Sequence, residues 1–257
     1  MTLLLAALFF VPSLACPNHP PLVLAATNWA PIMGERMENG GYLTEVVTTT
    51  LKQAGYSVKI LWVPWKRALV MGRQGSFDGV IAASDTKERR LYFNPTDPIV
   101  SDDYTYFGLT HRILDRDPFQ KLKPMTVGIL RGAAIMSDLE KNKNITIAQS
   151  NSHNQNIRKL LAKRIDFMLG SRTHIQHILD NKFTEQQKSI SVIEPIYRKN
   201  QYHLLFSKLH PEHAIIVSNF NRAFKQMRKE GVVDKIRRKH NLDQAVLPLP
   251  KNKKIHL

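Results

Sequence analysis

Short apolar segments alternate with segments of helical periodicity from residue 22 onward, and this alternation limits the folds open to the chain. The run LVLAAT at 22–27 and the run TVGIL at 126–130 are typical of buried strands. Each is followed, after glycine, by a helical segment, such as the one whose apolar residues are spaced through 43–54. This alternation predicts an α/β architecture with mostly parallel sheets. The later runs SISVIEPI and YHLLFSK predict two further strands before a C-terminal helical stretch.

Residues 1–15 differ from the rest of the chain because they are apolar and carry no charged side chain. Ser13 and Ala15 stand where a signal peptidase prefers small residues, so we predict a signal peptide over 1–15 and export to the periplasm. The alternative is a buried N-terminal strand or helix. Cys16 is the single cysteine, which excludes an intrachain disulfide. Its place after the predicted cut leaves a lipid anchor and a free thiol as alternatives.

The positive charge is confined to the second half of the chain. Residues 1–110 carry nine basic and nine acidic residues, so the formal net charge of +16 lies wholly in 111–257, which ends in a basic tail at 251–257. Such a charge is compatible with a nucleic acid, an anionic membrane or an anionic ligand. The cations are dispersed along helices without a zinc-finger or aromatic–basic motif. Together with the export signal, this argues against nucleic acid.

No catalytic motif stands out in the sequence. The motifs G-x-S-x-G, G-x-G-x-x-G and the P-loop are all absent. His174 and His177 have a spacing that would suit a metal, but no third ligand accompanies them, and a pair of helix-surface histidines is the better interpretation. We therefore predict a protein that is not an enzyme and that uses no metal or cofactor.

The segment 63–98 is the most informative part of the chain. It contains, at the intervals of a known pattern, Gly75, Asp78, Thr86, Glu88, Arg89, Phe93, Thr96 and Pro98. With T-x-W-x-P at 27–31 and AKRIDFML at 162–169, the chain resembles the family 3 extracellular solute-binding proteins, which are periplasmic receptors for polar amino acids. The resemblance covers essentially the whole chain after residue 20. It departs from the usual pattern at Pro95 and Thr96, which replace Phe and Ser.

This resemblance implies a type II periplasmic-binding-protein fold, in which two α/β lobes joined by two crossing hinge strands enclose a ligand cleft. It places lobe I at 20–107 plus 205–250 and lobe II at 108–204. The implied function is capture of a small amino-acid-like or carboxylate solute by hinge closure, and its presentation to the permease of an ABC transporter. The alternative is a ligand-sensing subunit for a membrane signalling receptor, without transport. The family is mostly monomeric, so we expect a monomer.

The resemblance also implies ligand contacts in the first lobe. Arg89 corresponds to the anchor for the ligand carboxylate, a role that suits the paired donors of a guanidinium. The alternative is a surface cation paired with Glu88. Trp29 and Trp65 are predicted to flank the ligand with their rings, whereas Trp62 is predicted to pack in the core. Further contacts are expected from Arg67, Ala82 and Ser84.

The second lobe departs from the family pattern at two places. Arg131 and the following Gly132-Ala133-Ala134 replace a hydroxyl-bearing segment, and they leave backbone amides that suit an anion. Ser171 stands where amino-acid receptors carry the aspartate that binds the ligand ammonium. The loss of that carboxylate favours a carboxylate or another anionic solute over a zwitterionic amino acid. Asp166 and Glu194 remain as alternative partners for an ammonium group.

Overall fold

The computed structural model describes residues 20–114 and 124–242. The predicted signal peptide at 1–15, Cys16 and the basic tail at 251–257 lie outside the described residues. Within the two described ranges, no helix is long and apolar enough to cross a membrane.

The described residues form nine strands and nine α-helices. The strands are β1 (Leu22–Ala26), β2 (Val58–Trp62), β3 (Gly79–Ala83), β4 (Phe93–Pro95), β5 (Val100–Leu109), β6 (Met125–Leu130), β7 (Ile145–Ser150), β8 (Phe167–Ser171) and β9 (Ile190–Ser207). The helices are α1 (Tyr42–Gln53), α2 (Trp65–Arg73), α3 (Lys87–Arg90), α4 (Thr110–Leu114), α5 (Met136–Leu139), α6 (His153–Leu161), α7 (Arg172–Lys182), α8 (His213–Lys229) and α9 (Val232–Lys239). Short 3-10 helices occur at Glu38–Gly40 and Gln187–Ser189.

The first lobe is built on a parallel sheet in which β1 lies between β2 and β3. The end of β9 extends this sheet by antiparallel pairing with β3 and β4. Successive residues of a strand point to opposite faces, so Leu24 packs in the core formed with α1, α8 and α9, whereas Ala25 packs in the core formed with α2. The apolar residues of α1 and α8 that predicted a buried helix face, such as Val46 and Phe220, lie in the first of these cores.

The second lobe repeats this arrangement, with β6 in parallel pairing between β7 and β8. Helices α6 and α7 cover one face, where Ile157 and Ile175 pack against Met168. The short helix α5 covers the other face, where Leu139 packs with Leu169. The parallel pairing predicted from the sequence therefore holds for three strands in each lobe. The crossing strands add the antiparallel pairs.

The two lobes are joined by β5 and β9, which pair with each other in antiparallel fashion. The prediction of two separate strands near the end of the chain is wrong, because Ile190–Ser207 forms one strand of 18 residues. The stretch YRKNQ at 197–201 between the two predicted runs is held in the strand by its pairing with residues 101–104 of β5. The pairing with β5 skips from Ile193 to Arg198, so Pro195, which has no N–H to donate, lies in a bulge and does not end the strand.

The turn that leads into α1 requires a glycine. Gly41 has φ 87° and ψ 172°, and a Cβ at this position would lie 2.7 Å from the Cα atom of Met33. We expect Gly41→Ala to lower the free energy of unfolding by about 3 kcal/mol or more, because strained backbone and steric overlap add together. Gly55 is the matched control, since its φ is 91° but a Cβ there would have no neighbour within 4 Å.

Gly55→Ala should therefore lower the free energy of unfolding by only about 1 kcal/mol, the effect of the left-handed backbone alone. Urea unfolding of the two variants beside the wild type measures both losses. If the two variants lose equal stability, the close approach between Gly41 and Met33 adds nothing to the cost of the substitution.

Candidate functional site

A cavity of about 490 Å³ lies between the two lobes. Its volume falls within the range of about 300–1,000 Å³ that is typical of small-molecule sites. Both lobes and both crossing strands contribute to its walls, because the cavity opens where the carboxyl ends of the parallel strands meet. Aromatic side chains are prominent in these walls, namely Trp29, Trp62, Trp65, Tyr104 and Tyr202.

Arg89 is held at the cavity by the first turn of α3. Thr86 caps this helix, since its Oγ1 accepts the backbone N–H of Arg89 at 3.2 Å. The Arg89 side chain is 8% exposed and donates to the carbonyl oxygens of Ser84 at 2.8 Å and Gly132 at 3.0 Å. Burial lowers the pKa of the guanidinium to about 10, so the group remains a cation at neutral pH. Among the described residues, no carboxylate pairs with this buried charge.

Two indole N–H groups of the first lobe form hydrogen bonds to the second lobe. Trp65 Nε1 donates to the carbonyl oxygen of Gly132 at 3.1 Å, and the Trp65 ring lies 5.2 Å from the Cζ atom of Arg89. Trp29 Nε1 donates to Ser171 Oγ at 3.1 Å. The only polar atom of each indole is therefore already occupied, and what these side chains offer an occupant of the cavity is ring surface.

Two histidines complete the wall formed by the second lobe, the buried His153 and the half-buried His174. His174 Nδ1 donates to the carbonyl oxygen of Ala30 at 2.7 Å, which is a further bond between the lobes. The ring of His153 lies 5.6 Å from that of His174, and no described residue forms a hydrogen bond with its Nδ1. Burial lowers the pKa of His153 to about 3 and that of His174 to about 4, so both rings are neutral at neutral pH.

Ser171 ends β8 and caps α7, and its hydroxyl is the centre of a buried network. The oxygen accepts the backbone N–H of His174 at 3.1 Å and the indole N–H of Trp29, while the hydroxyl proton is donated to Asp102. A hydroxyl has one proton and two lone pairs, so Ser171 has no further capacity for hydrogen bonds. Asp102, on β5, is 2% exposed and also accepts from Thr173 Oγ1 at 2.7 Å. Burial raises the pKa of Asp102, while the hydrogen bonds act in the opposite direction.

This network makes a prediction about stability. Ser171→Ala is expected to lower the free energy of unfolding by about 3 kcal/mol, because it removes a helix cap, deprives the buried Asp102 of one of its two side-chain donors and leaves the indole N–H of Trp29 without its acceptor. Thr173→Val is the matched control, since it removes only the second hydroxyl from Asp102, and it should lose about 1.5 kcal/mol. Urea unfolding at pH 7 ranks the two variants. A larger loss for Thr173→Val would show that Ser171 is not the centre of the network.

The structure brings most of the predicted contact residues to the cavity. They are Arg89, Trp29, Trp65, Ala82, Ser84, Ala133 and Ser171. Ala82 has φ 64°, in the left-handed region that residues with a side chain rarely adopt. Arg67 and Arg131, in contrast, are exposed and do not line the cavity. Arg67 precedes the buried Ala68 on α2 and projects into solvent, and only the backbone N–H of Arg131 is tied to the fold, through the carbonyl oxygen of Ser150 at 2.8 Å.

Other residues weighed from the sequence lie in different places from those expected. Asp166 accepts hydrogen bonds from the Thr126 backbone and Arg112, and Glu194 pairs with Arg172, so neither carboxylate lines the cavity. His174 and His177, interpreted as a helix-surface pair, lie on the face of α7 that lines the cavity, where His177 bonds to Asn181 and His174 to the carbonyl oxygen of Ala30. In the part of the chain that the structure describes, no cluster of three His, Cys, Asp or Glu residues is placed to hold a metal ion.

Sequence reasoning missed several residues of the site. Trp62 was predicted to pack in the core, and it does pack against the core of the first lobe, but it also lines the cavity. Tyr104 and Tyr202 lie on the crossing strands, and His153 begins α6. The one available signal for the tyrosines was that their segments were expected to cross between lobes, where a large side chain borders the cleft.

The profile of the bacterial extracellular solute-binding proteins, family 3, matches residues 22–243. The chain therefore belongs to this family, and the resemblance inferred from the sequence is confirmed. A search among curated protein sequences finds no match to the chain.

Solved structures share the fold at low sequence identity. The ligand-binding core of GluR0 from Nostoc punctiforme, in complex with L-glutamate, is 17% identical with a TM-score of 0.70, covering 85% of this chain and 98% of that chain. The arginine-, lysine-, histidine-binding protein ArtJ from Geobacillus stearothermophilus is 18% identical with a TM-score of 0.69, covering 86% and 94%. A histidine kinase sensor domain with similarity to periplasmic binding proteins is 17% identical with a TM-score of 0.71, covering 86% and 96%. These likenesses confirm the type II periplasmic-binding-protein fold with two lobes.

Proposed function

We propose that the protein captures a small amino-acid-like or carboxylate solute outside the cytoplasmic membrane and presents it to an ABC transporter. The observation that carries this proposal is the buried cation of Arg89, which lines the cavity and whose side-chain hydrogen bonds to described residues all go to neutral carbonyl oxygens. A buried charge without a counter-ion is unfavourable, and the carboxylate of a ligand would supply that counter-ion. The two hydrogen bonds of Arg89 leave further N–H donors of the guanidinium for the ligand.

Capture proceeds by closure of the two lobes over the ligand, with β5 and β9 as the hinge. The proposed lobes are 20–107 plus 205–250 and 108–204. Hydrogen bonds to Gly132 on one side of the cavity, and to Ser171 and Ala30 on the other, already join the lobes around this space. A ligand that touches both lobes adds its own contacts to these bonds and shifts the population further toward the closed form. The membrane permease would then recognise that form.

The charges in the cavity support an anionic solute. Apart from Arg89, the residues with a formal charge that line the cavity are Lys182 and Glu35, and both are exposed. Asp102 is shielded behind the hydroxyls of Ser171 and Thr173. The buried part of the cavity therefore presents one positive group and no negative one.

The same proposal covers the location and the mode of action. The protein is exported to the periplasm through a signal peptide at 1–15, acts as a monomer, and binds no nucleic acid. A lipid anchor at Cys16 is the alternative to a soluble form. We assign no reaction to the cavity, and mass spectrometry of the released ligand tests this, because a solute-binding protein returns its ligand unchanged.

A ligand-sensing subunit of a membrane signalling receptor is the second candidate, and the likeness to a histidine kinase sensor domain favours it. The two functions separate in a strain from which the gene has been deleted. Loss of uptake of the labelled ligand supports transport. Unchanged uptake, with loss of a response to the ligand, supports sensing.

The proposal is tested by a thermal-shift screen of the mature protein, carrying Cys16→Ser, against amino acids, mono- and dicarboxylates and polyamines. A ligand at 100 times its Kd stabilises the folded state by about 2.7 kcal/mol, which is easily detected as a rise in melting temperature. We expect at least one carboxylate-bearing compound to give this rise. If only polyamines or other cations stabilise the protein, the proposal is wrong.

A further inference from the structure

We propose that the cavity is built for a monocarboxylate with a bulky aromatic body and without an α-ammonium group. This inference rests on the proposed function, because it takes Arg89 as the carboxylate anchor. It is carried by three features of the cavity: how its hydrogen-bonding groups are already used, how many buried cations it has, and which surfaces remain.

The first feature is that, among the described residues, no buried carboxylate lines the cavity to pair with an ammonium group. Ser171 stands at the end of β8, but its oxygen already accepts from Trp29 and His174 and its proton goes to Asp102. The Asp102 carboxylate does not line the cavity, and its two oxygens accept from Ser171 and Thr173. Glu35 lines the cavity but is exposed. An ammonium group buried beside Ser171 would therefore lose its water without gaining a negatively charged partner, and the neutral acceptors of the wall, such as Asn154 Oδ1, compensate less than a carboxylate would.

The second feature is that one buried cation, among the residues that the structure describes, lines the cavity. Arg89 is buried at the cavity, whereas Lys182 is exposed. Arg67 and Arg131, which would have made the cleft more positive, do not line the cavity. The neutral rings of His153 and His174 carry no charge that would balance a second carboxylate at neutral pH. One buried cation matches one carboxylate.

The third feature is the aromatic surface of the walls. Trp29 and Trp65 have their N–H groups occupied by protein partners, so they present rings to the cavity. Trp62, Tyr104 and Tyr202 add three more aromatic side chains. An occupant as small as acetate would leave most of the 490 Å³ to water against these rings. A planar aromatic body fills this space and packs against them.

Isothermal titration calorimetry with three probes tests the inference. 3-Phenylpropanoate and L-phenylalanine share the carboxylate and the ring and differ only in the α-ammonium group. Glutarate has no ring and carries a second carboxylate. We expect 3-phenylpropanoate to bind at least a hundredfold more tightly than L-phenylalanine, and glutarate to bind more weakly than 3-phenylpropanoate.

Each other outcome has its own meaning. If L-phenylalanine binds as tightly as 3-phenylpropanoate, or glutarate binds most tightly, the inference is overturned, whereas the proposed function stands as long as Arg89→Ala abolishes that binding. If none of the three probes binds, the inference is overturned, and the carboxylates of the broader thermal-shift screen then decide the proposed function separately.

Trp62 provides a test of the aromatic body alone, because no hydrogen bond or ion pair of its side chain is found among the described residues. We expect Trp62→Leu to weaken 3-phenylpropanoate binding at least fivefold and to leave propanoate binding unchanged. Trp62→Phe, which keeps an aromatic ring, should recover most of the loss. Equal weakening of both ligands by Trp62→Leu would show that Trp62 supports the fold of the cavity and does not contact the ligand body.

Discussion

Arg89→Ala is expected to raise the Kd of the physiological ligand by at least about 100-fold, which corresponds to about 3 kcal/mol. The wild-type guanidinium is 8% exposed and lies against the Trp65 ring, so a carboxylate bound to it is shielded from water and the interaction is strong. The loss appears in calorimetry as weaker binding, and in a thermal-shift assay as the disappearance of the ligand-induced rise in melting temperature.

Arg90 provides the matched control for this variant. It is the next residue on the same helix, it is exposed, and it pairs with Asp85 through its Nε and Nη2 atoms. Arg90→Ala therefore removes an equal charge at nearly the same place without reaching the cavity, and it should leave the Kd within about twofold. If the two variants weaken binding equally, the effect of Arg89 is a general effect of charge, and the carboxylate lies elsewhere.

The elements of this fold were predictable where the signal lies in neighbouring residues. The apolar spacing of 43–54 predicted α1. The strand β9 was predicted as two pieces, SISVIEPI and YHLLFSK, because the stretch YRKNQ at 197–201 does not continue their apolar pattern. What keeps that strand continuous is its pairing with β5, and a partner about 90 residues away leaves no mark in the local sequence.

The residues of the site divide in the same way into those predictable from local sequence and those determined by distant contacts. Arg89 and the two tryptophans at positions 29 and 65 came from motif spacing, which carries the geometry of the family with it. The hydrogen bonds of the Ser171 hydroxyl could not be predicted from the sequence, because its three partners come from β5, from α7 and from the other lobe. The position of Arg67 outside the cavity wall could not be predicted from the sequence either, because it depends on which face of the short helix α2 is turned toward the core.

Those long-range contacts also determine which polar groups at the edge of the cavity are already occupied by protein partners. The indole and hydroxyl groups at its edges bond across the lobes, as Trp29 does to Ser171 and Trp65 to Gly132. These groups at the edges are therefore satisfied by protein where the lobes meet, whereas the described wall also includes Asn154 Oδ1 and His153 Nδ1, for which no described residue is a partner. The hydrogen bonds of Trp29 and Trp65 across the lobes therefore do two things: they hold the cleft closed, and they leave the indole rings as the surface that selects the ligand.

His153 gives the second large effect, on the pH dependence of stability. Burial lowers the pKa of His153 to about 3, whereas an unfolded histidine has a pKa of about 6.5. A base whose pKa is lower in the folded state contributes stability above its unfolded pKa, and this contribution is lost as the pH falls toward the folded pKa. At pH 5 the unfolded chain binds a proton that the folded protein does not. The loss attributable to His153 between pH 7 and pH 5 is then about 2 kcal/mol.

His153→Gln isolates this effect, because glutamine takes up no proton while the carboxylates and His174 titrate alike in both proteins. Urea unfolding at pH 7 and at pH 5 should show the wild type losing about 2 kcal/mol more than His153→Gln. His111→Gln, at an exposed position, should lose as much as the wild type. If His153→Gln and the wild type lose the same amount, the imidazole is protonated in the folded protein at pH 5. The wall of the cavity would then carry a positive charge that an anionic ligand would meet directly.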